Sequence, residues 1–251
     1  MMKINFNLPE EVLNILLKDF TTGNNILWGT PQYECPQESE IKLEQISSGD
    51  VIKPRVLKSE CDQKKRTNDK AEVYTPLEII RKMNDMVDDA ASYSDEEYIC
   101  RKVLEVTCGE APYLVSRYDV SSGDMIPFDK REGLLDRKMR IVNKSEDKDK
   151  WFSAAETAVK STYGYEWQGD SLLLARQNIL LDVIEWYEDR FNEEMEISEI
   201  LKFADIIIHN IVQMDGLTMC IPYSDIPVKI MDWDKGEAER FDGKPEELSL
   251  W

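Results

Sequence analysis

Three carboxylates stand at or near the ends of short apolar runs. Glu105 lies inside "VLEVTCG", Glu166 closes "YGYE", and Asp215 follows "IVQM". A carboxylate at a strand end can accept hydrogen bonds from both hydroxyls of a ribose, and another can accept an exocyclic amine. Gly109, in "LEVTCGEAPYL", has no Cβ and lets the main chain approach a ligand closely. Cys108 beside it reads as a small core residue at the edge of the same loop rather than a nucleophile. Trp167, next to Glu166, can stack on a purine or simply pack. These residue types together suit a nucleoside-bearing cofactor, and a cationic one would gain from the acidic surroundings. The one histidine, His209, follows three isoleucines and reads as a packed strand-end residue. A single histidine without ligand spacing does not describe a zinc site.

Positioning such groups requires strands that end together. From residue 72 onward the periodicity alternates helix, strand, helix, strand, helix, strand, which is the pattern of a parallel, doubly wound α/β sheet. "EVYTPLEIIRKMNDMVDDA" reads as a helix after Thr-Pro, "RKVLEVTCG" as a strand, and "APYLVSRYD" as a possible helix opening. "LLDRKMR" reads as a basic helix face and "WFSAAETAVKSTYG" as a helix ended by Gly164. "SLLLARQNILLDVIEWYEDRF" is the strongest helix, with Asp170 or Ser171 as its cap. Asp170 is taken as the cap and Glu166 as the ligand. "ADIIIHNIVQMDGL" reads as a β-branched strand, and "VKIMDWD" as a further short strand. Asp215 before Gly216 is equally well explained as turn chemistry. In a parallel sheet of this kind, ligands sit beyond the carboxyl ends of the strands.

The 251 residues carry 31 Lys and Arg against 50 Asp and Glu, a formal net charge of −19. A surface so acidic repels phosphate backbones, so any work on DNA needs another source of grip. The most basic patch, "QKKRTNDK" (63–70), is expected as an exposed linker that could face phosphate. Hydrophobic residues make up 42% of the chain, enough for a core. Five scattered cysteines without a C-x-x-C pair fit free thiols in a reducing cytoplasm. No apolar run reaches bilayer length, and the N-terminus lacks the layout of a signal peptide, so a cytoplasmic protein without membrane contact is expected.

Four segments, in order, resemble class I S-adenosylmethionine-dependent methyltransferases, and most closely the adenine-N6 DNA methyltransferase (M) subunits of restriction–modification systems. They are "AEVYTP" (71–76), "LEVTCGEAPYL" (104–114), "GYEWQGDSLLLARQNIL" (164–180) and "NIVQMDGL" (210–217). The resemblance covers about residues 66 to 220. It implies a Rossmann-like fold with S-adenosylmethionine as cofactor. Tyr74, Thr75 and Pro76 would line the methionine end, with Glu105, Cys108 and Gly109 shaping the loop beneath it. Glu166 would hold the ribose beside Trp167, and Asp215 would face the adenine amine. A specificity or restriction subunit would supply the DNA contact.

Two departures qualify what the resemblance implies. Where the family has a second loop glycine this chain has Ala111, followed by Pro112, which lacks an N–H. Where the family has Asn/Asp-Pro-Pro-Tyr/Phe, the nearest counterpart is Ile221-Pro222-Tyr223, with Pro222 and Tyr223 as the only candidate catalytic residues. The expected organisation is a small, irregular N-terminal helix and linker segment (1–66), with "LPEEVLNILLKDF" (8–20) as a short amphipathic helix, a methyltransferase-like α/β domain (67–234) and a C-terminal tail (235–251). The expected function is an M subunit, with a catalytically inactive methyltransferase-like interaction protein, a regulator or inhibitor that mimics DNA through its acidic surface, as the alternative.

Overall fold

Three short apolar runs pair in parallel and in chain order: β1 (Val103–Val106), β2 (Thr162–Glu166) and β3 (Ile211–Gln213). The computed structural model describes residues 4, 6–31, 33–46, 51–70, 75–88 and 90–241. Register sets Glu105 opposite Gly164 and Glu166 opposite Gln213. Side chains alternate across a strand, so Val103, Glu105, Gly164, Glu166, Ile211 and Gln213 share one face. Leu104, Tyr163, Tyr165 and Val212 share the other.

Helices carry the chain between strands. α6 (Leu134–Val142) and α7 (Lys148–Lys160) connect β1 to β2, and α8 (Gly169–Phe191) and α9 (Ile197–Asn210) connect β2 to β3. Their apolar stripes meet in one core with Val103 and Ile211. The opposite face is covered by an antiparallel hairpin, β4 (Lys229–Asp232) with β5 (Glu237–Arg240), flanked by Val228 and Phe241. No helix residue joins that second cluster among the described residues. The fold is therefore α/β around a parallel sheet, with helices on one face and a hairpin on the other, not the doubly wound arrangement expected from the periodicity: the residues after β3 turn back as an antiparallel hairpin that covers the second face.

The N-terminal segment is part of this core. Val12 and Leu16 of α1 (Glu10–Leu16) are buried in the same cluster as Leu180, Phe203 and Ile207. Ile26, Trp28, Ile41 and Ile46 of the following loop and of α2 (Leu43–Ile46) join them.

Local expectation and structure part at four places. "QKKRTNDK" lies in a helix, α3 (Glu60–Lys70), with Arg66 1% exposed. "ADIIIHN" is the end of α9, because Phe203, Ala204, Ile206 and Ile207 are buried against neighbouring helices, and that burial outweighs β-propensity. His209 is accordingly helical. Gly164 does not end α7. It sits inside β2, where a Cβ would meet the Cys108 Sγ at 3.3 Å. "APYLVSRYD" forms turns, tied back to the loop by the Leu114 and Val115 N–H groups donating to the Ala111 carbonyl. Two short helices precede β1: α4 (Leu77–Val87) and α5 (Asp95–Cys100). Among the described residues no helix is long and apolar enough to cross a membrane.

Candidate functional site

The carboxyl ends of β1 and β2 bring Glu105, Cys108, Gly109 and Glu166 together. The Gly109 N–H donates to Glu166 Oε2 at 2.9 Å, and the Gln168 N–H donates to Oε1 at 3.0 Å. The Tyr113 N–H reaches Glu105 Oε1 at 3.4 Å, while Glu105 Oε2 is buried without a partner. Burial pushes the Glu105 carboxyl well above the usual carboxylate range; the Tyr113 and Leu114 backbone bonds oppose this, and the Glu166 charge adds to it. Burial, with Glu105 and Glu166 beside it, also pushes the Cys108 thiol up. A thiol held protonated in this way is not an activated nucleophile.

The loop after β1 is strained in a regular way. Thr107, Gly109 and Ala111 all adopt left-handed conformations, with φ of 51°, 55° and 62°. For a residue with a Cβ this costs about 1–2 kcal/mol, and such strain concentrates at functional loops. Ala111 thus takes up the backbone conformation that a glycine would adopt freely. Nothing lies within 4 Å of where a Cβ on Gly109 would sit, so the main chain there borders open space.

Other residues clamp this loop. The Glu110 carboxylate accepts the Arg55 N–H at 2.8 Å and the Tyr118 hydroxyl at 2.6 Å. Asn178 of α8 donates to the Glu110 carbonyl at 2.9 Å. At the start of α8, buried Asp170 accepts Arg66 Nη1 at 2.7 Å and Nη2 at 3.1 Å, Tyr33 Oη at 2.8 Å and Lys58 Nζ at 3.1 Å. Burial alone would raise Asp170; Lys58 and Arg66 outweigh it and hold the carboxyl far below the usual range. Asp170 also accepts the Ser171 N–H at 2.9 Å, but the N-cap of α8 is Gln168, so Asp170 lies inside the first turn and serves as an anchor for the N-terminal segment.

Asp215 is two residues beyond the end of β3. Its Oδ1 accepts the Leu217 N–H at 2.8 Å and its Oδ2 the Thr218 hydroxyl at 2.9 Å, so both oxygens close a local turn. At the strand end itself stands Gln213, which sequence reasoning passed over. Its Oε1 accepts the Leu27 N–H at 2.7 Å, and its Nε2 donates to the Leu27 and Trp167 carbonyls at 2.9 and 2.8 Å. It docks the N-terminal loop onto the strand ends as a missing strand would. Gly169 has the same purpose: a Cβ there would fall 1.9 Å from the Leu27 carbonyl oxygen.

Trp167 donates its indole N–H to the Gly29 carbonyl at 3.1 Å and meets Tyr223 edge-on, with ring centroids 5.3 Å apart. Tyr223 is half-exposed, left-handed at φ 61°, and donates to Gln37 Oε1 at 3.0 Å. Pro222 is buried. Ile221-Pro222-Tyr223 lies in the connection from β3 to β4, and no fourth parallel strand precedes it among the described residues. Pro76 stands just before α4 and Thr75 precedes it, while Asn84 of that helix donates to the Tyr113 carbonyl at 3.0 Å. Tyr74 lies outside the described residues, as does the tail beyond Phe241. Asn178 was legible only as part of "ARQN"; Arg66 and Gln213 carried no local signal.

No protein-family model, no curated protein and no solved structure matches this chain.

Proposed function

We propose that this chain is a methyltransferase-like M subunit of a restriction–modification system, binding S-adenosylmethionine beyond the carboxyl ends of β1 and β2. One observation carries the reading: Glu105 and Glu166 share a face at adjacent strand ends, joined through Gly109 by a left-handed loop bordering open space. The donor set suits the group. Glu105 keeps a buried acceptor without a partner, and Glu166 sets a second carboxylate at the adjacent strand end, bonded to the Gly109 and Gln168 N–H groups. Tyr74, Thr75 and Pro76 would hold the methionine end, Cys108 and Gly109 the loop beneath it, and Trp167 the adenine face, while Asp215 would meet the adenine amine only with the acceptor capacity its own turn leaves over. When bound, the cofactor supplies an electrophilic methyl group for transfer to adenine N6. The net charge of −19 makes a partner subunit the source of DNA contact.

A second reading, a catalytically inactive methyltransferase-like interaction protein, is favoured by the Ile221-Pro222-Tyr223 turn. It presents an apolar residue where adenine chemistry needs a polar acceptor, and its tyrosine is engaged with Gln37. Titration calorimetry with S-adenosylmethionine tests the shared element. Saturable binding abolished by Glu166→Ala is expected, and no binding at millimolar cofactor sinks both methyltransferase readings as cofactor-dependent. Adenine methylation in the presence of a DNA-recognition subunit then selects the first reading, and its absence the second.

A further inference from the structure

On the side of α8 away from its start lies a cleft of about 520 Å³ that the proposed cofactor site does not use. Its size falls within the roughly 300–1,000 Å³ of small-molecule sites. Met125, Ile126, Pro127 and Phe128 form an apolar floor, and Phe128 is fixed edge-on against Trp186 at 5.0 Å.

The rim is acidic. Asp124, Glu185, Glu188 and Asp189 line it, against one cation, Arg131. Arg131 is already committed: Nη1 to Asp182 and Nη2 to Glu185, each at 2.6 Å, with its guanidinium 4.2 Å from the Phe128 centroid. Glu185 is also bound by Arg117. Glu185 is thus matched by two arginines. Asp124 bonds a neutral group, the Ser122 hydroxyl, and keeps its charge. Among the described residues the Glu188 and Asp189 carboxylates have no hydrogen bond or ion pair. They stand in the last turn of α8, whose terminal carbonyls carry negative partial charge. Arg190, the basic residue of that turn, is turned to the Ser145 carbonyl and to Glu146. Like charge at a helix C-terminus is unfavourable, and an added cation relieves it. A hydrated inorganic ion gains nothing from the apolar floor, whereas a cation with a hydrocarbon stem matches both floor and rim.

We propose that this cleft binds a small organic cation: an ammonium group on an apolar stem, stem on the 125–128 floor and charge against Glu188 and Asp189. The complementarity of an apolar floor with an unneutralised acidic rim carries the proposal, which stands on residues separate from the cofactor site.

The test is titration calorimetry of the full chain with phenethylammonium, at low ionic strength and at about 0.15 M salt. Saturable one-to-one binding is expected, weakened at least about fivefold in Glu188→Gln/Asp189→Asn and less than about twofold in the charge-matched control Asp225→Asn/Glu237→Gln. Methylammonium, with the same charge and no stem, should bind at least about tenfold more weakly. The proposal is overturned by an absence of saturable binding at millimolar ligand, by equal effects of cleft and control variants, or by equal binding of the two amines. A lysine-bearing peptide that binds more tightly, with the same dependence on Glu188 and Asp189, overturns it in favour of a protein-docking cleft.

Discussion

Replacing Ala111 with glycine measures the strain stored in the loop after β1. Ala111 is fully buried and left-handed at φ 62°. Ala111→Gly removes a buried methyl group, worth about 0.8 kcal/mol. It also adds unfolded-state entropy worth about 0.4–1 kcal/mol. Against these, it relieves about 1–2 kcal/mol of left-handed strain. The terms nearly cancel, and the net change should lie within about 1 kcal/mol of zero. Ala175 provides the comparison: it is equally buried but lies inside α8. Ala175→Gly loses the methyl and the helix propensity with no strain to relieve, about 1.5–2 kcal/mol in all. Urea unfolding of both variants, followed by far-UV circular dichroism, should separate them by about 1–2 kcal/mol. Equal destabilisation of the two would refute the claim that Ala111 carries strain.

Three further expectations follow from the clamps around the site. Arg66→Met leaves Asp170 buried with a reduced set of partners and should cost about 3–5 kcal/mol in urea unfolding, whereas Lys65→Met, on the exposed face of α3, should change stability by less than about 0.5 kcal/mol; similar values for the two would contradict the buried anchor. Gln213→Leu strips three hydrogen bonds from the Leu27 and Trp167 backbones and should cost about 2–3 kcal/mol, with hydrogen exchange at the Leu27 amide accelerated ahead of the rest of the core; unchanged exchange there would argue against docking through Gln213. Glu105 has a raised folded pKa, so its stabilising contribution is complete below the ordinary carboxylate range, about 4.3, and is lost as pH rises through the raised value. Glu105→Gln removes that loss, so the variant should gain stability relative to the wild type as pH increases above that range, and a difference independent of pH would show Glu105 to be ionised in the fold.

Much of the site was readable as local pattern. The runs ending at Val106 and Glu166 are short, apolar and followed by turn residues, so their carboxyl ends were identifiable and Glu105, Gly109 and Glu166 came with them. Asp215 shows the limit of the same reasoning. "IVQMD" reads as one run, but pairing with β2 stops at Gln213, and the acid beyond is taken by its own turn. α9 shows another: three consecutive isoleucines favour a strand by propensity, and only contact with α1, α7 and α8 makes a helix the better way to bury them.

The sequence by itself determined where β1 and β2 end, that α7 and α8 are helices, where the loop glycine sits and how acidic the chain is, because each depends on composition or on neighbours a few residues away. Tertiary structure decided which of the candidate carboxylates meet, that Arg66 is buried on Asp170, that Gln213 holds the strand end, and that Ile26, Trp28 and Ile41 pack into the core. Register and burial are set by partners distant in the chain, and the hydrogen-bonding and desolvation energies that choose among them exist only once those partners are in place.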